Sequence, residues 1–364
     1  MSNKVKKVCY LLGGSKLSGA EKRIIITAIE LSKDASFDIT LITSEELKNE
    51  FHKSELSVKD ISSIRWKTRK VNKSSNKYIR RAINLVRNVI LNLIQLPKTN
   101  SFVHIVLYSN ATLLSVLFGK LLGNSKYFYE VTSPDVAASS ATKNLIKYDF
   151  LADKLICVSE SVEKRLGSIK SQKKYVRKQP LAYLGENQST VKKENLVVYA
   201  HRLIERKNPL LAVQAFEKLA KSIPDWSFYI CGDGELKEEV ENRVSLAKLS
   251  NLEYKGYVYD MDNLMKRSKI FVSLIEPDNY PSQSVFNAMA NGNAIIVSDT
   301  GSSKNKFINS NGYAVELCVE SISEHIKMLI KRNEVAECAD NSIMLYKTKY
   351  GQALYFEESK RVYN

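Results

Sequence analysis

Residues 195–224 read NLVVYAHRLIERKNPLLAVQAFEKLAKSIP. The run from Leu196 to Ala200 is apolar without alternation, as a strand buried on both faces requires. Pro209 then stands where the first turn of a helix tolerates it, because the N–H it lacks has no helical partner there. Strand, turn and helix in that order make a β-α unit, and repeated units of this kind build a parallel sheet covered on both faces. Ligands of such sheets sit at the carboxyl ends of the strands. The turn at this end carries Arg202 and Lys207. One supplies a planar fork and the other a point charge, a pair that suits a diphosphate. Loop cations also serve as plain solvated surface, so the pair needs context.

The pattern continues in both directions. Downstream, WSFYICG, LEYKGYV, IFVSLI and AIIVSD read as strands, with the helices GELKEEVENRVSLAKLS, MDNLMKRSK and SVFNAMANG between them. Upstream, KVCYLL, FDITLIT, SFVHIVLYS, KYFYEVTS and LICVS alternate with GAEKRIIITAIELSKD, ATLLSVLFGKLLG, KNLIKYDFLADK and ESVEKRLGS. The polar stretch at 179–195, QPLAYLGENQSTVKKEN, reads as a linker. A chain of 364 residues exceeds what one core fills. The expected fold is α/β, two doubly wound domains facing across a cleft.

Five cysteines without CxxC spacing fit small core residues in a reducing compartment rather than a disulfide framework or a zinc site. The lysines and short apolar run at the N-terminus read as a first strand, and no run reaches the ~18 apolar residues of a membrane span. The formal net charge is +16. Residues 1–180 hold 32 Lys+Arg against 15 Asp+Glu, so the entire excess lies in the first half. That half is expected to meet a negatively charged partner.

One segment of that half breaks the alternation. Residues 77–97, KYIRRAINLVRNVILNLIQLP, are helical by period, with a polar stripe of Arg81, Asn84, Asn88, Asn92 and Gln95. A basic, Ser/Asn-rich stretch, 65–77, precedes it and reads as a loop. The helix is either a core helix with a solvated edge or one resting in the headgroup region of an anionic bilayer.

Three further stretches invite chemistry. CGDGEL (231–236) is a strand end, a tight turn and a helix start, with Gly232 permitting the turn. LGGSKLSGAEKR (12–23) is a glycine-bearing loop before a helix, able to cradle phosphate but lacking a dinucleotide or P-loop fingerprint. NYPSQSVFNAMANG (279–292) prepares a helix N-terminus for an anion through Pro281, Ser282, Gln283 and Ser284, yet neutral amides, Asn279 and Asn287, bracket it. Asp-Met-Asp at 260–262 has a metal-holding form, but Asp262 better fits the charge at a helix start. His104, inside an apolar run, reads as a buried, hydrogen-bonded histidine.

In their order, AHRLIERK, CGDGEL, KGYV and IEPDNYPSQSVFNAMANGNAIIVSDTG resemble the retaining, nucleotide-sugar-dependent glycosyltransferases of the group 1 (family 4) type, with the GT-B architecture. The resemblance spans nearly the whole chain and is strongest over 195–315. It implies an acceptor-side, membrane-facing domain over 1–180, a nucleotide-sugar domain over 181–345, and a helix over 346–364 returning to the first domain. It assigns the donor diphosphate to Arg202 and Lys207. Donor contacts fall to Gly19, Gly232, Asn279, Pro281, Ser282, Gln283, Ser284 and Asn287, and acceptor contacts to Glu130 and Asp135. The family has carboxylates where this chain has Asn279 and Asn287; an amide still pairs with hydroxyls but brings no charge. SGAEKR matches the family's Gly-Gly-Ala-Glu-Arg-like loop, with Ser18 for the first Gly.

The expected partners are a nucleotide-sugar, a lipid-linked or oligosaccharide acceptor and an anionic membrane surface, with no nucleic acid. Neither a cofactor nor a metal is expected. The expected location is cytoplasmic, peripheral at the inner face of the membrane. Rival readings are a degenerate, non-catalytic nucleotide-sugar or glycan-binding protein, a nucleic-acid binder, and an epimerase or phosphorylase of the same architecture.

Overall fold

The computed structural model describes residues 5–13, 17, 19–53, 64–69, 77–97, 99–106, 108–132, 134–166, 174–176 and 191–364. The chain divides into two compact units, one of residues 1–179 with Tyr355–Asn364, the other of Pro180–Leu354. The apolar runs become strands and the segments between them helices, all strand pairs being parallel.

The first unit holds β1 (Lys6–Leu12), α1 (Gly19–Ser32), β2 (Phe37–Ser44), α2 (Glu45–Lys53), β3 (Arg65–Arg69) and α3 (Lys77–Gln95). These are followed by β4 (Ser101–Val106), α4 (Asn110–Leu122), β5 (Lys126–Val131), α5 (Pro134–Ala138), α6 (Ser140–Lys147), β6 (Lys154–Cys157), α7 (Glu160–Leu166) and β7 (Lys174–Val176). The sheet order is β3-β2-β1-β4-β5-β6-β7. The stretch expected as a basic loop starts as β3. It is an edge strand whose cations leave that edge poorly suited to further pairing. Its continuation, 70–76, lies outside the described residues, as does most of the expected linker.

One face of this sheet packs against Leu96, Leu113, Val116, Leu145 and Leu151. On the opposite side a buried polar network joins distant parts of the unit. Arg23 of α1 pairs with Glu130 of β5 and donates to the Tyr355 hydroxyl at 3.1 Å. His104 of β4 reaches Glu130 at 3.2 Å and the Tyr363 hydroxyl at 2.6 Å, which in turn meets Tyr10 at 2.8 Å. Glu130 and His104 are fully buried. The two tyrosines come from the far end of the sequence, where α15 (Gln352–Arg361) belongs to the first unit from Tyr355 on.

The second unit holds β8 (Leu196–Ala200), α8 (Pro209–Ser222), β9 (Ser227–Cys231), α9 (Lys237–Ala247), β10 (Leu252–Gly256) and α10 (Met261–Arg267). It continues through β11 (Ile270–Ser273), α11 (Gln283–Ala290), β12 (Ala294–Ser298), α12 (Ser303–Phe307), β13 (Gly312–Val315), α13 (Val319–Lys331) and α14 (Val335–Leu345). Its order is β10-β9-β8-β11-β12-β13. β8, β11 and β12 are buried along their whole length, which explains their unbroken apolar sequence. One core lies between the sheet and α8, α9 and α13, the other between the sheet and α10, α11 and α12.

Candidate active site

In the second unit β8 and β11 are neighbours, and from them the chain order runs outward in opposite directions. The crevice beyond their carboxyl ends is where ligands of such sheets bind. Two turns meet there, 201–208 after β8 and 274–282 after β11. Their backbones are tied together. The Glu276 N–H donates to the Arg206 carbonyl at 3.1 Å, and Asn208 Nδ2 donates to the Leu274 carbonyl at 3.0 Å. Tyr199 fixes the first turn from below, its hydroxyl donating to the Lys207 carbonyl at 2.7 Å.

Arg202, Ile204, Glu205, Arg206, Glu235 and Glu276 line a cleft of about 460 Å3 at this point. Arg202 is exposed and Lys207 half-buried. Burial pulls the Lys207 ammonium from its ordinary 10.5 down to about 7, and the neighbouring charge of Arg206 pushes the same way. Neither Arg202 nor Lys207 has a carboxylate within ion-pair distance among the described residues. His201 meets Tyr199 edge to face and lies tilted against Phe271. Burial first, then Lys207 and Arg206, hold its pKa well below the usual histidine range. The cleft thus sets Arg202 and Arg206 beside Glu205, Glu235 and Glu276, and with neither Arg202 nor Lys207 held in an ion pair among the described residues, both stand available to an external anion.

The turn after β11 delivers the start of α11. Ser282 stands at its N-cap in extended conformation, and its hydroxyl caps nothing. The first N–H groups of α11 therefore have no helical acceptor and carry the positive end of the helix dipole. Tyr280 wedges between Phe286 and Phe307 and fixes the turn, with Pro281, Gln283 and Ser284 half-buried beside it.

Residues 186–342 match the family model described as glycosyl transferases group 1. This segment is a group 1 glycosyl transferase domain. It coincides with most of the second unit, the one that carries the cation turn. An alpha-1,4-N-acetyl-D-galactosaminyltransferase of Campylobacter jejuni, named for an acceptor on PP-undecaprenol, is 32% identical over 83 residues, 22% of this chain and 23% of that protein. Poly(glycerol-phosphate) alpha-glucosyltransferase of Bacillus subtilis is 26% identical over 164 residues, 44% of this chain and 24% of that protein. The matched stretches thus span about a quarter of the length of these curated relatives. Among solved structures, a variant of S. aureus TarM in complex with UDP aligns at TM-score 0.74 and 14% identity, over 99% of this chain and 100% of that one. Anabaena HepE with UDP and glucose aligns at 0.73 and 13%, over 98% and 99%. At these identities the likeness establishes the fold, and it covers both units: the architecture is GT-B.

Within the transferase domain the expected site residues separate into two groups. Arg202 and Lys207 stand in the turn after β8, and the loop tied to that turn leads into α11. Asn287, on α11, is half-buried, and its Oδ1 is enclosed without a hydrogen-bond partner among the described residues. Asn279 departs from expectation. It is buried, its Oδ1 accepts from the Ser273 hydroxyl at 3.1 Å, and its Nδ2 donates to the Ser273 carbonyl at 2.9 Å. The turn folds this amide back onto the end of β11, so it pins the loop instead of facing a sugar. Asp278 is engaged likewise, accepting from the N–H groups of Tyr280 and Ser302. Gly232 takes φ +140°, and a Cβ there would lie 1.9 Å from the His201 carbonyl oxygen. Its place in the transferase domain is to let two turns approach.

The Asp-Met-Asp segment is structural. Asp260 caps α10 by accepting from Asn263 N–H, and Asp262 pairs with Lys266 and Asn291. Asp262 lies in the first turn of α10, the helix-start charge expected of it, while Asp260 supplies the cap. Among the described residues no His, Cys, Asp or Glu cluster could hold a metal. Outside the transferase domain, Gly19 opens α1, Asp135 lies in the first turn of α5 with its side chain outside the described residues, and Glu130 requires correction. It lies within β5, and its carboxylate is consumed by Arg23 and His104. A fully buried, doubly paired carboxylate contacts no acceptor. His104 is the buried, hydrogen-bonded histidine its apolar context predicts. Sequence reasoning missed Arg206 and His201; their adjacency to Arg202 and Lys207 was the available signal.

Proposed function

We propose that this chain is a glycosyltransferase. It transfers a sugar with retention from a nucleotide diphosphate donor to a lipid-linked glycan in cell-surface polysaccharide synthesis. The observation that carries this reading is the unpaired cation turn, Arg202 and Lys207, joined by backbone hydrogen bonds to the loop that opens α11. As the bond from the anomeric carbon to the diphosphate breaks, negative charge grows on the leaving oxygen. Arg202, Lys207 and the free N–H groups of α11 are fixed in advance to receive it, so no reorganisation is needed at the moment of reaction. In the retaining course the departing phosphate oxygen takes the proton of the acceptor hydroxyl, which requires no separate protein base. Asn287 Oδ1 accepts from a donor hydroxyl, as its enclosed and unpartnered state invites. No metal enters this scheme. The relative from C. jejuni, with its PP-undecaprenol acceptor, supports a lipid-linked glycan as the second substrate. Such a substrate places the protein at the cytoplasmic face of an anionic membrane.

A second reading follows from the amide pair. With Asn279 turned inward and Asn287 uncharged, the chain would hold a nucleotide-sugar without turning it over. A thermal-shift panel of nucleotide-sugars, followed by an assay of donor hydrolysis and transfer to a water-soluble glycan, separates the two. Stabilisation and turnover by at least one donor are expected. Stabilisation without turnover selects the second reading, and a panel with no stabilising nucleotide removes both.

A further inference from the structure

We infer that the first unit docks on an anionic lipid bilayer through a surface made jointly by α3 and α4, in a region whose helices carry an excess of basic residues. This rests on the membrane-side acceptor proposed above and deepens it by assigning the surface. The sequence suggested that α3 turns a polar stripe to solvent, but part of that stripe points inward. Asn92 is buried and donates to the Ser115 hydroxyl of α4 at 2.9 Å. Gln95 accepts from Arg69 of β3 at 2.8 Å. The exposed row is apolar: Ile83, Val86, Ile90 and Ile94, at steps of three and four, with Ile94 72% exposed.

The neighbouring helix repeats the arrangement. Leu113 and Val116 of α4 enter the core, while Leu114, Phe118, Leu121 and Leu122 face out, Leu121 at 73% exposure. Both helices pack over the same face of the sheet and are joined by the Asn92–Ser115 bond, so the two rows lie side by side. Tyr148 and Phe150, also exposed, follow α6 next to α4. Apolar rows on two adjacent helices exceed the scattered exposed side chains normal for a soluble surface.

Charge selects the occupant. α3, α4 and α6 together carry seven Lys and Arg (Lys77, Arg80, Arg81, Arg87, Lys120, Lys143 and Lys147) and not one Asp or Glu. Among the described residues only Lys120 of these has a carboxylate beside it, Asp153 at 2.8 Å, so a second copy of the same surface would bring an excess of like charge together. An anionic bilayer supplies both halves of the match, acyl chains for the two rows and phosphates for the cations, with aromatic rings suited to the boundary.

The test is co-sedimentation of the full chain with vesicles of phosphatidylglycerol and phosphatidylcholine, against phosphatidylcholine alone. Two variants, Ile90→Asp with Ile94→Asp on α3 and Phe118→Asp with Leu121→Asp on α4, change exposed positions only, and circular dichroism checks their fold. Each should weaken binding to the anionic vesicles at least about tenfold, and wild-type binding should fall with added salt. Both variants should hydrolyse donor as the wild type does, so failure of the docking surface is distinct from failure of the transferase reading. An α4 variant that binds like wild type overturns the joint surface. So does equal binding to neutral vesicles, or a concentration-dependent dimer that Leu121→Asp dissolves.

Discussion

The two units are built on one plan and use their charges in opposite ways. In each, the first six strands in chain order stand in the order 3-2-1-4-5-6 across the sheet. In the first unit, Arg23, Glu130 and His104 are buried together and answer one another, with three tyrosine hydroxyls completing the network. In the second, Arg202 and Lys207 sit at the switch point in no ion pair among the described residues, and α11, which follows the loop tied to their turn, starts without a side-chain cap. Taking charge out of water costs several kcal/mol per ion unless it is paired. A chain that pairs its buried cation in one unit and leaves a half-buried cation unpaired in the other reserves the second for something external.

The comparison breaks first if Glu130 is not structural. Glu130→Ala leaves the Arg23 charge buried and unanswered and should destabilise the first unit by about 3–5 kcal/mol, read as a loss of thermal and denaturant stability. A variant of full stability that loses affinity for acceptor would return Glu130 to the substrate. The second unit should respond in the reverse sense. Arg202→Ala or Lys207→Ala should cut turnover at least about a hundredfold, roughly 2.7 kcal/mol of transition-state stabilisation, with no loss of melting temperature.

Lys207 adds a pH signature. On the proposed reading its charged form binds the diphosphate, and burial has brought its pKa to about 7 in the folded chain against the ordinary 10.5. Affinity for UDP should therefore fall as pH rises above 7, with a limiting slope of about tenfold per unit, and Lys207→Met should flatten it. Stability moves the other way. Between about 7 and 10.5 the unfolded chain holds the proton that the folded chain has shed, so this group's contribution to stability rises with pH across that window. An affinity profile for UDP that is flat from pH 7 to 9 in the wild type would separate Lys207 from the phosphate.

The smallest effect sharpens the comparison inside one turn. Asn287→Ala should weaken donor binding by about 0.5–1.5 kcal/mol and leave stability unchanged. Asn279→Ala should do the reverse, because it strands the polar groups of Ser273. Isothermal titration and thermal denaturation of the two variants decide it; interchange of their effects would place Asn279 at the sugar.

The sheets were legible because buried parallel strands are written as unbroken apolar runs, and LVVYA and AIIVS admit little else. Arg202 and Lys207 were legible because a strand end, a turn and Pro209 locate them on the fold. Glu130 was misread because its partners are remote: Arg23 lies 107 positions away and His104 26. No local pattern records that meeting. Asn279 was misread for a shorter-range reason, a side chain folded back six positions onto Ser273. For α3 the period revealed two faces but not which one meets the sheet. The short helix α2, with Leu47 and Phe51 as its buried residues, escaped notice because two apolar anchors make a weak period.

The tyrosines of residues 355–364 give the first unit a peculiar history. A ribosome makes β1 to β7 early, but Tyr355 and Tyr363, which close over Arg23 and His104, are made after the whole second unit. Residues 180–354 are contiguous and can close as they emerge. The unit whose synthesis starts first therefore finishes last, holding an unsealed ion pair while its neighbour is already complete. Anything fused to or cut from that final segment acts on the beginning of the chain.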